Sequence, residues 1–464
     1  MRAIAKKISL LLLLLVVLYL CGRFLDKSLG GIYDDARAPY LQMPTSHSIV
    51  IRWQTRQSNI GVVRIGKTRS KVEQSFVEQQ ADDEHSVLLT GLQPNTRYYY
   101  HVGTAGYTIY EGKDYWFKTT SQDDSLQDDP LQEDSNQPIR FWVTGDQGQA
   151  GDIQNNVRDA MLGWVQQHTI GSESKSKPDF WLTTGDNAYR SGTNQQFQDN
   201  FFTPYKQILR NTPVWPVYGN HDARRWTFYN IFSFPSMAEA GGLASGTEKY
   251  FSFNYSNLHV VVLDSQSSRI QPNSRMLRWL EKDLRMNKQH WLVVAFHHPP
   301  YTRGTHHSDN PADSLNRMQN IRRYVLPILE QAGVDVVLTG HSHMYERSWF
   351  MKQHYGLSST FSAENIQDRK PSGNLHLTEN RISQKGLTYR KQAKPSASHS
   401  GTIYITLGSS ARLDQGDLDH PAMPVSLHES GSMVFDIVDN KLSANFINDK
   451  GELKDSFKIV KDVN

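Results

Sequence analysis

Val334-Asp335-Val336-Val337-Leu338-Thr339-Gly340-His341-Ser342-His343 is a short apolar run that stops at a glycine and passes at once into two histidines. A brief apolar run closed by a turn residue reads as a strand buried on both faces. The same grammar recurs four times upstream. Residues 139–144 are followed by Gly145-Asp146-Gln147-Gly148, and residues 180–184 by Gly185-Asp186-Asn187-Ala188-Tyr189. Residues 214–218 lead into Gly219-Asn220-His221-Asp222, and residues 291–296 into His297-His298-Pro299-Pro300. Amphipathic helical stretches separate these runs, so residues 138–462 read as an α/β body. Ligands of α/β sheets bind beyond the carboxyl ends of strands, which brings the five loops together. Singly, each block has an ordinary explanation as a helix cap, a turn or a hydrogen-bonded surface histidine. Five successive loops that each present a carboxylate, an amide or an imidazole point instead to a metal centre.

In this order the blocks resemble those of the calcineurin-like metallophosphoesterases and, within them, the purple acid phosphatases: GDxG, GDxxY, GNH followed by an acidic residue, VxxH from Val294 to His297, and GHxH. The resemblance spans residues 141–347 and implies a four-layer α/β/β/α metallophosphoesterase sandwich. Most relatives place a histidine two residues after the first aspartate; here Gly148 stands there, and the tyrosine that takes over its role is Tyr189. Carried over residue by residue, the resemblance assigns Asp146, Asp186, Tyr189 and His343 to a first metal. It assigns Asn220, His297 and His341 to a second, with Asp186 bridging. The implied cofactor is a dinuclear centre of iron(III) with zinc, manganese or iron(II). Two carboxylates and a phenolate suit a hard trivalent ion, an amide and two imidazoles a borderline divalent one.

The expected activity is hydrolysis of phosphomonoesters by metal-bound hydroxide, with a histidine protonating the leaving oxygen. His221, beside Asn220, and the pair His306-His307 are the candidates for that proton. His298 and Asp222 match no direct ligand and read as supports. Asp264, at the end of another apolar run, is explained equally well by a turn. Two alternatives stay open: a phosphodiesterase or nucleotide pyrophosphatase on the same metal core, and a non-catalytic envelope binding protein. The expected partners are phosphorylated small molecules or phosphoproteins.

Upstream, residues 38–120 follow period two. Ile49, Ile51 and Trp53 alternate with Val50, Arg52 and Gln54, as in a half-buried strand. Leu92, Pro94, Thr96, Tyr98, Tyr100 and Val102 share one parity and resemble the tyrosine-corner segment of a fibronectin type III-like β-sandwich. Nothing catalytic falls in this segment, which reads as a packing or spacer domain. The acidic residues 121–137 read as a solvated linker. Residues 352–400, rich in Ser, Lys, Arg, Asn and Gln and without a sustained period, read as a surface insertion.

At the N-terminus, Arg2, Lys6 and Lys7 precede an apolar run that ends at Cys21. That is the layout of an export signal or membrane anchor over residues 1–30. As a helix the run spans roughly 22 Å, short of the ~30 Å hydrocarbon core. Both a lipid on Cys21 and an uncleaved signal-anchor fit, and either places the chain outside the cytoplasm. Cys21 is the one cysteine, which excludes a disulfide framework and a cysteine-based zinc site. The 464 residues are 38% hydrophobic and 21% charged, too polar for a multi-span membrane protein and too apolar for a disordered one. A net charge of +3 gives no field for nucleic acid as a structural partner.

Overall fold

The computed structural model describes residues 37–121, 137–170, 177–222, 226–368, 376–378, 381–383, 386–393 and 398–462, together with Leu14 and Val17. Most of the expected anchor and of the acidic linker lies outside the described residues. No described helix is long and apolar enough to cross a membrane.

Residues 40–118 form an all-β sandwich. One sheet has three strands, Tyr40–Gln42, Ile49–Asn59 and Asp82–Leu89; the other has five, centred on Val62–Gly66 and Arg97–Gly103. Ile49, Ile51, Trp53, Val63, Ile65, Tyr100 and Phe117 fill the space between them. The Tyr98 phenol accepts the Gln93 backbone N–H at 2.9 Å, a side-chain-to-backbone corner of the kind found in immunoglobulin-like sandwiches. The period-two strand is not half-buried: Val50, Arg52 and Gln54 are also covered. Their face packs on the α/β body, where Arg52 donates to the Asn230 carbonyl at 2.6 Å and to Ser233 Oγ at 3.1 Å. Alternation marked the inner face correctly, and docking hid the outer one.

The α/β body holds two seven-stranded mixed sheets face to face. The first runs in the order Val214–Trp215, Phe180–Thr183, Ile139–Thr144, Gly431–Val438, Lys441–Asn448, Leu453–Lys461 and Leu387–Lys391. The second runs Phe251–Tyr255, Leu258–Val262, Trp291–Ala295, Val336–Thr339, Ile403–Leu407, Tyr345–Arg347 and Val425–Leu427. Period two sorts even the all-apolar strands. Val293, Ala295, Val336 and Leu338 face the opposite sheet, whereas Leu292, Val294 and Val337 face the outer helices. Helix Arg275–Met286 covers that outer face with Met276, Leu277, Leu280 and Leu284, at the 3–4 spacing of one helical side. Its start is set by Ser274, whose hydroxyl accepts the Leu277 N–H. Helix Asp152–Gln167 covers the first sheet through Val157, Met161 and Val165. The layers are helix, sheet, sheet, helix.

One expectation is corrected. Part of residues 352–400 is built into the body rather than lying over its surface. Leu387–Lys391 forms an edge strand parallel to Leu453–Lys461. Leu387, Tyr389 and Lys391 point inward, and the buried Lys391 ammonium lies 2.9 Å from Asp335 Oδ1, whose other oxygen lies 2.8 Å from Lys461 Nζ. The inward cation is tolerated because it is paired and also donates to the carbonyls of Gly333 and Val334.

Candidate metal centre

The five strand ends emerge at one edge of the two sheets and are stitched together through their backbones. Asp146 N–H donates to the Gly185 carbonyl (3.1 Å), Tyr189 N–H to the Gly148 carbonyl (2.8 Å), and Gly340 N–H to the His297 carbonyl (3.0 Å). Asp146, Asp186 and His341 sit at φ of 56°, 54° and 70°. Such left-handed conformations of non-glycine residues cost about 1–3 kcal/mol each and cluster at functional sites. A Cβ at Gly148 would run into the Asn187–Ala188 peptide, which accounts for glycine at that position.

Each carboxylate is split between scaffold and centre. Asp146 Oδ2 accepts the His341 backbone N–H at 2.8 Å, leaving Oδ1 3.0 Å from the Tyr189 hydroxyl. Asp186 Oδ1 accepts the His221 backbone N–H at 2.7 Å, leaving Oδ2 3.2 Å from the same hydroxyl. His343 Nε2 completes this first set, 3.1 Å from Tyr189 Oη and 3.5 Å from Asp146 Oδ1. A second set adjoins it. His297 Nε2 lies 3.4 Å from Asp186 Oδ2, 2.8 Å from Asn220 Oδ1 and 3.2 Å from His341 Nδ1. All seven sequence-derived ligand candidates therefore converge, and Asp186 Oδ2 belongs to both sets.

Packing so many oxygens and ring nitrogens together has electrostatic consequences. Burial, reinforced by the Asp146 and Asp186 carboxylates, pushes the Tyr189 phenol well up. Burial opposes charge on Asp186, but His297 and His221 win and hold its carboxyl below the usual range. Burial likewise opposes charge on His297, yet Asp186 and Asp146 draw its imidazole up to about 9. Burial and crowding by other imidazoles hold His341 well below its ordinary value, which suits a neutral ligand. A cation between these groups would replace the shared protons, so the donor set fits a metal.

The histidines are also oriented from behind. His297 Nδ1 faces the Thr184 carbonyl at 2.9 Å, His343 Nδ1 faces Asp414 Oδ2 at 2.6 Å, and His341 Nε2 faces Ser314 Oγ at 2.7 Å. Asp222 binds the backbone N–H groups of Asn187 and Gly219, at 3.0 Å each, and so fixes two of the loops. His298 bonds Ser265, and Asp264 spends both oxygens on residues 266–268 as a turn. Among the proton-donor candidates, His221 turns Nδ1 to the Arg190 carbonyl (2.6 Å) and sets Nε2 3.9 Å from Asp186 Oδ2. His306 reaches the site, whereas His307 Nδ1 accepts the Asp309 backbone N–H at 3.2 Å within its own loop.

Sequence reading missed a sixth strand end. Ile403–Leu407 runs parallel to Val336–Thr339 and delivers Gly408, Ser410 and Asp414 to the same edge. Ser410 N–H donates to the Gly145 carbonyl, and Ser410 Oγ accepts the Gly145 N–H, both at 3.2 Å. The signal was available as an apolar run closed by Gly408, but no ligand-type side chain follows at once.

Residues 139–345 match the calcineurin-like phosphoesterase family, and residues 37–119 match the purple acid phosphatase N-terminal domain. Among curated proteins, purple acid phosphatase 21 of Arabidopsis thaliana is 30% identical over 273 residues, covering 57% of this chain and 53% of its own length. Phosphoenolpyruvate phosphatase of Allium cepa is 26% identical over 57% of this chain and 50% of its own. The chain thus spans about half the length of the curated relatives it matches. Of solved structures, the purple acid phosphatase PPD1 from yellow lupin (Lupinus luteus) seeds superposes with a TM-score of 0.67 at 15% identity, covering 92% of this chain and 75% of that one; this likeness speaks for the fold alone. With the two family matches taking in more than half of its residues, the chain belongs to the purple acid phosphatase-like metallophosphoesterases.

Proposed function

We propose that the chain is a metal-dependent phosphomonoesterase of the acid phosphatase type. The observation that carries this reading is the placement of Asp186 Oδ2, within 3.2 Å of Tyr189 Oη and 3.4 Å of His297 Nε2, at the join of two donor sets. Asp146, Asp186, Tyr189 and His343 would hold iron(III), and Asp186, Asn220, His297 and His341 zinc, manganese or iron(II). When bound, such a pair supplies positive charge to the phosphoryl oxygens and acidifies a water.

The chain's own residues supply the rest. His306 is anchored through Nδ1 to Asp313 Oδ1 at 2.9 Å, which leaves Nε2 to hold a proton for the leaving oxygen. His221, anchored through Nδ1 to the Arg190 carbonyl, offers Nε2 from the opposite loop. The likeness to the Allium cepa phosphoenolpyruvate phosphatase supports small phosphomonoesters as substrates. The basic, then apolar N-terminus supports an exported protein held at a membrane by a signal-anchor or by a lipid on Cys21.

The test is hydrolysis of matched phosphomonoester and phosphodiester substrates by the full chain in mild detergent, with iron and zinc supplied and Asp186→Asn as control. Metal-dependent monoester turnover that is lost in the folded variant supports the reading. Preferential diester turnover replaces it with a phosphodiesterase, and metal binding without turnover on either substrate replaces it with a binding role.

A further inference from the structure

The loop after Ile403–Leu407 has no regular secondary structure, yet it is held at both ends by the site. At its start Gly408 N–H donates to the Met344 carbonyl at 3.1 Å, and Ser410 is paired with Gly145. At its far end Leu418 N–H donates to the Arg303 carbonyl at 2.8 Å, and Gly416 lies so close to Gly304 that a Cβ would strike that residue's backbone. Asp414 stands between these fixed points. One oxygen of its carboxylate takes two contacts, His343 Nδ1 at 2.6 Å and Arg412 Nε at 2.8 Å. Its backbone carbonyl accepts His428 Nε2 at 3.1 Å.

A carboxylate can only accept here, so His343 carries a proton on Nδ1, and Nε2 is the nitrogen left to ligate a metal. Nε2 is the atom that faces Tyr189 Oη and Asp146 Oδ1. Among the described residues, no other hydrogen-bond partner of Nδ1 selects that tautomer or ring orientation. Arg412 in turn holds the carboxylate of Asp414, a side chain about a third exposed.

We propose that Asp414 is a positioning residue for the first metal set, holding the His343 imidazole in the ligating tautomer with Arg412 as its brace. This rests on the proposed function, because it presumes that His343 binds a metal. Outer carboxylates of this kind change metal affinity by roughly 10–100-fold when removed.

The experiment uses the full chain in detergent, loaded with iron(III) and zinc, as wild type, Asp414→Ala, Asp414→Asn and Arg412→Gln. It reads the metal retained per chain during dialysis against a chelator, the kcat and KM of a phosphomonoester, and the unfolding midpoint of the metal-free protein. Asp414→Ala is expected to lose iron about 10–100-fold more readily, with an unchanged metal-free midpoint and a fall in kcat larger than any change in KM. Asp414→Asn, whose amide oxygen still accepts from Nδ1, is expected to fall between, and Arg412→Gln to have the mildest effect. Wild-type iron retention in both Asp414 variants overturns the proposal while leaving the phosphatase reading intact. A wild-type chain that binds no metal overturns both. Where Asp414→Ala lowers the metal-free midpoint, Asp414→Asn decides by the same comparison.

Discussion

His306 lies flat on His341, with ring centroids 3.8 Å apart and planes within 17° of parallel. Asp313 pins it there through Nδ1, while its neighbour His307 is turned into the loop. The two histidines, equal candidates by sequence, are therefore unequal in space. His306→Ala is expected to lower kcat by roughly 10²–10⁴-fold, the usual worth of a placed proton donor. His307→Ala is expected to change it by less than about tenfold, by the same scale. Steady-state kinetics of the two variants on one phosphomonoester checks the split.

Gly148→Ala forces a methyl group against the Asn187–Ala188 peptide, between Asp186 and Tyr189. Overpacking of this kind typically costs 1–3 kcal/mol, about the range expected from denaturant unfolding. Bound metal should fall with it, since the displaced loop carries two of the ligand candidates. Gly148→His is expected to fail for the same steric reason, as its metal content would show.

Two buried groups behind the His306 loop give opposite pH dependences. Burial holds His420 down to about 3 against the pull of Asp309, whereas an unfolded imidazole takes its proton near ~6.5. Below that pH the unfolded chain binds a proton that the folded chain refuses, so this contribution to stability falls on acidification. His420→Asn keeps an acceptor for the Ala422 N–H, 3.2 Å away. It should gain on wild type by about 1.4 kcal/mol per pH unit between pH 6 and 4. Glu346 works the other way. Burial pushes it up to about 7, so the folded chain keeps a proton that the unfolded chain loses, and stability falls as pH rises from about 4.5 to 7. Glu346→Gln should gain on wild type as pH rises through that window. Unfolding free energies of the two variants, each subtracted from wild type at matched pH, separate the two signs.

Arg347, on a strand of the second sheet, crosses to Asp455 on the first, with Nε at 2.6 Å and Nη2 at 2.9 Å; Tyr345 donates to the same carboxylate at 2.7 Å. All three are buried. Asp455→Ala deprives the buried guanidinium of its carboxylate and is expected to cost about 3–5 kcal/mol by denaturant titration. Arg347→Met with Asp455→Leu together should cost much less, since no charge is left unpaired.

The site was legible where chemistry sits immediately after an apolar run. Asp146, Asp186, Asn220, His297 and His341 all stand within two residues of the end of an apolar run, so strand grammar alone placed them together. Asp414 lies seven residues past Leu407, within an irregular loop, and no local pattern connects it to His343. Leu387–Lys391 escaped for another reason. Its inward positions include a lysine, made acceptable in a core by the distant Asp335 and the carbonyls of Gly333 and Val334. Arg52 and Gln54 were expected at a solvent face because alternation reports polarity, while burial depended on a second body covering them.

Tyr40 belongs by chain position to the small sandwich and by packing to the larger body. Its ring lies 4.7 Å from Phe202 and 6.2 Å from Phe232, and its hydroxyl donates to the Ile231 carbonyl. Arg37, fully buried, bonds Asn194 and Gln198 on one side and Glu84 on the other. The border between the two bodies is therefore not a seam along which the chain can be cut. A fragment holding only the α/β part would open a ring-sized hole beside Phe202 and Phe232, and would leave Asn194 and Gln198 without the guanidinium that ties them down. The small sandwich serves the larger body as part of its wall, and the two are to be expressed, engineered and inherited together.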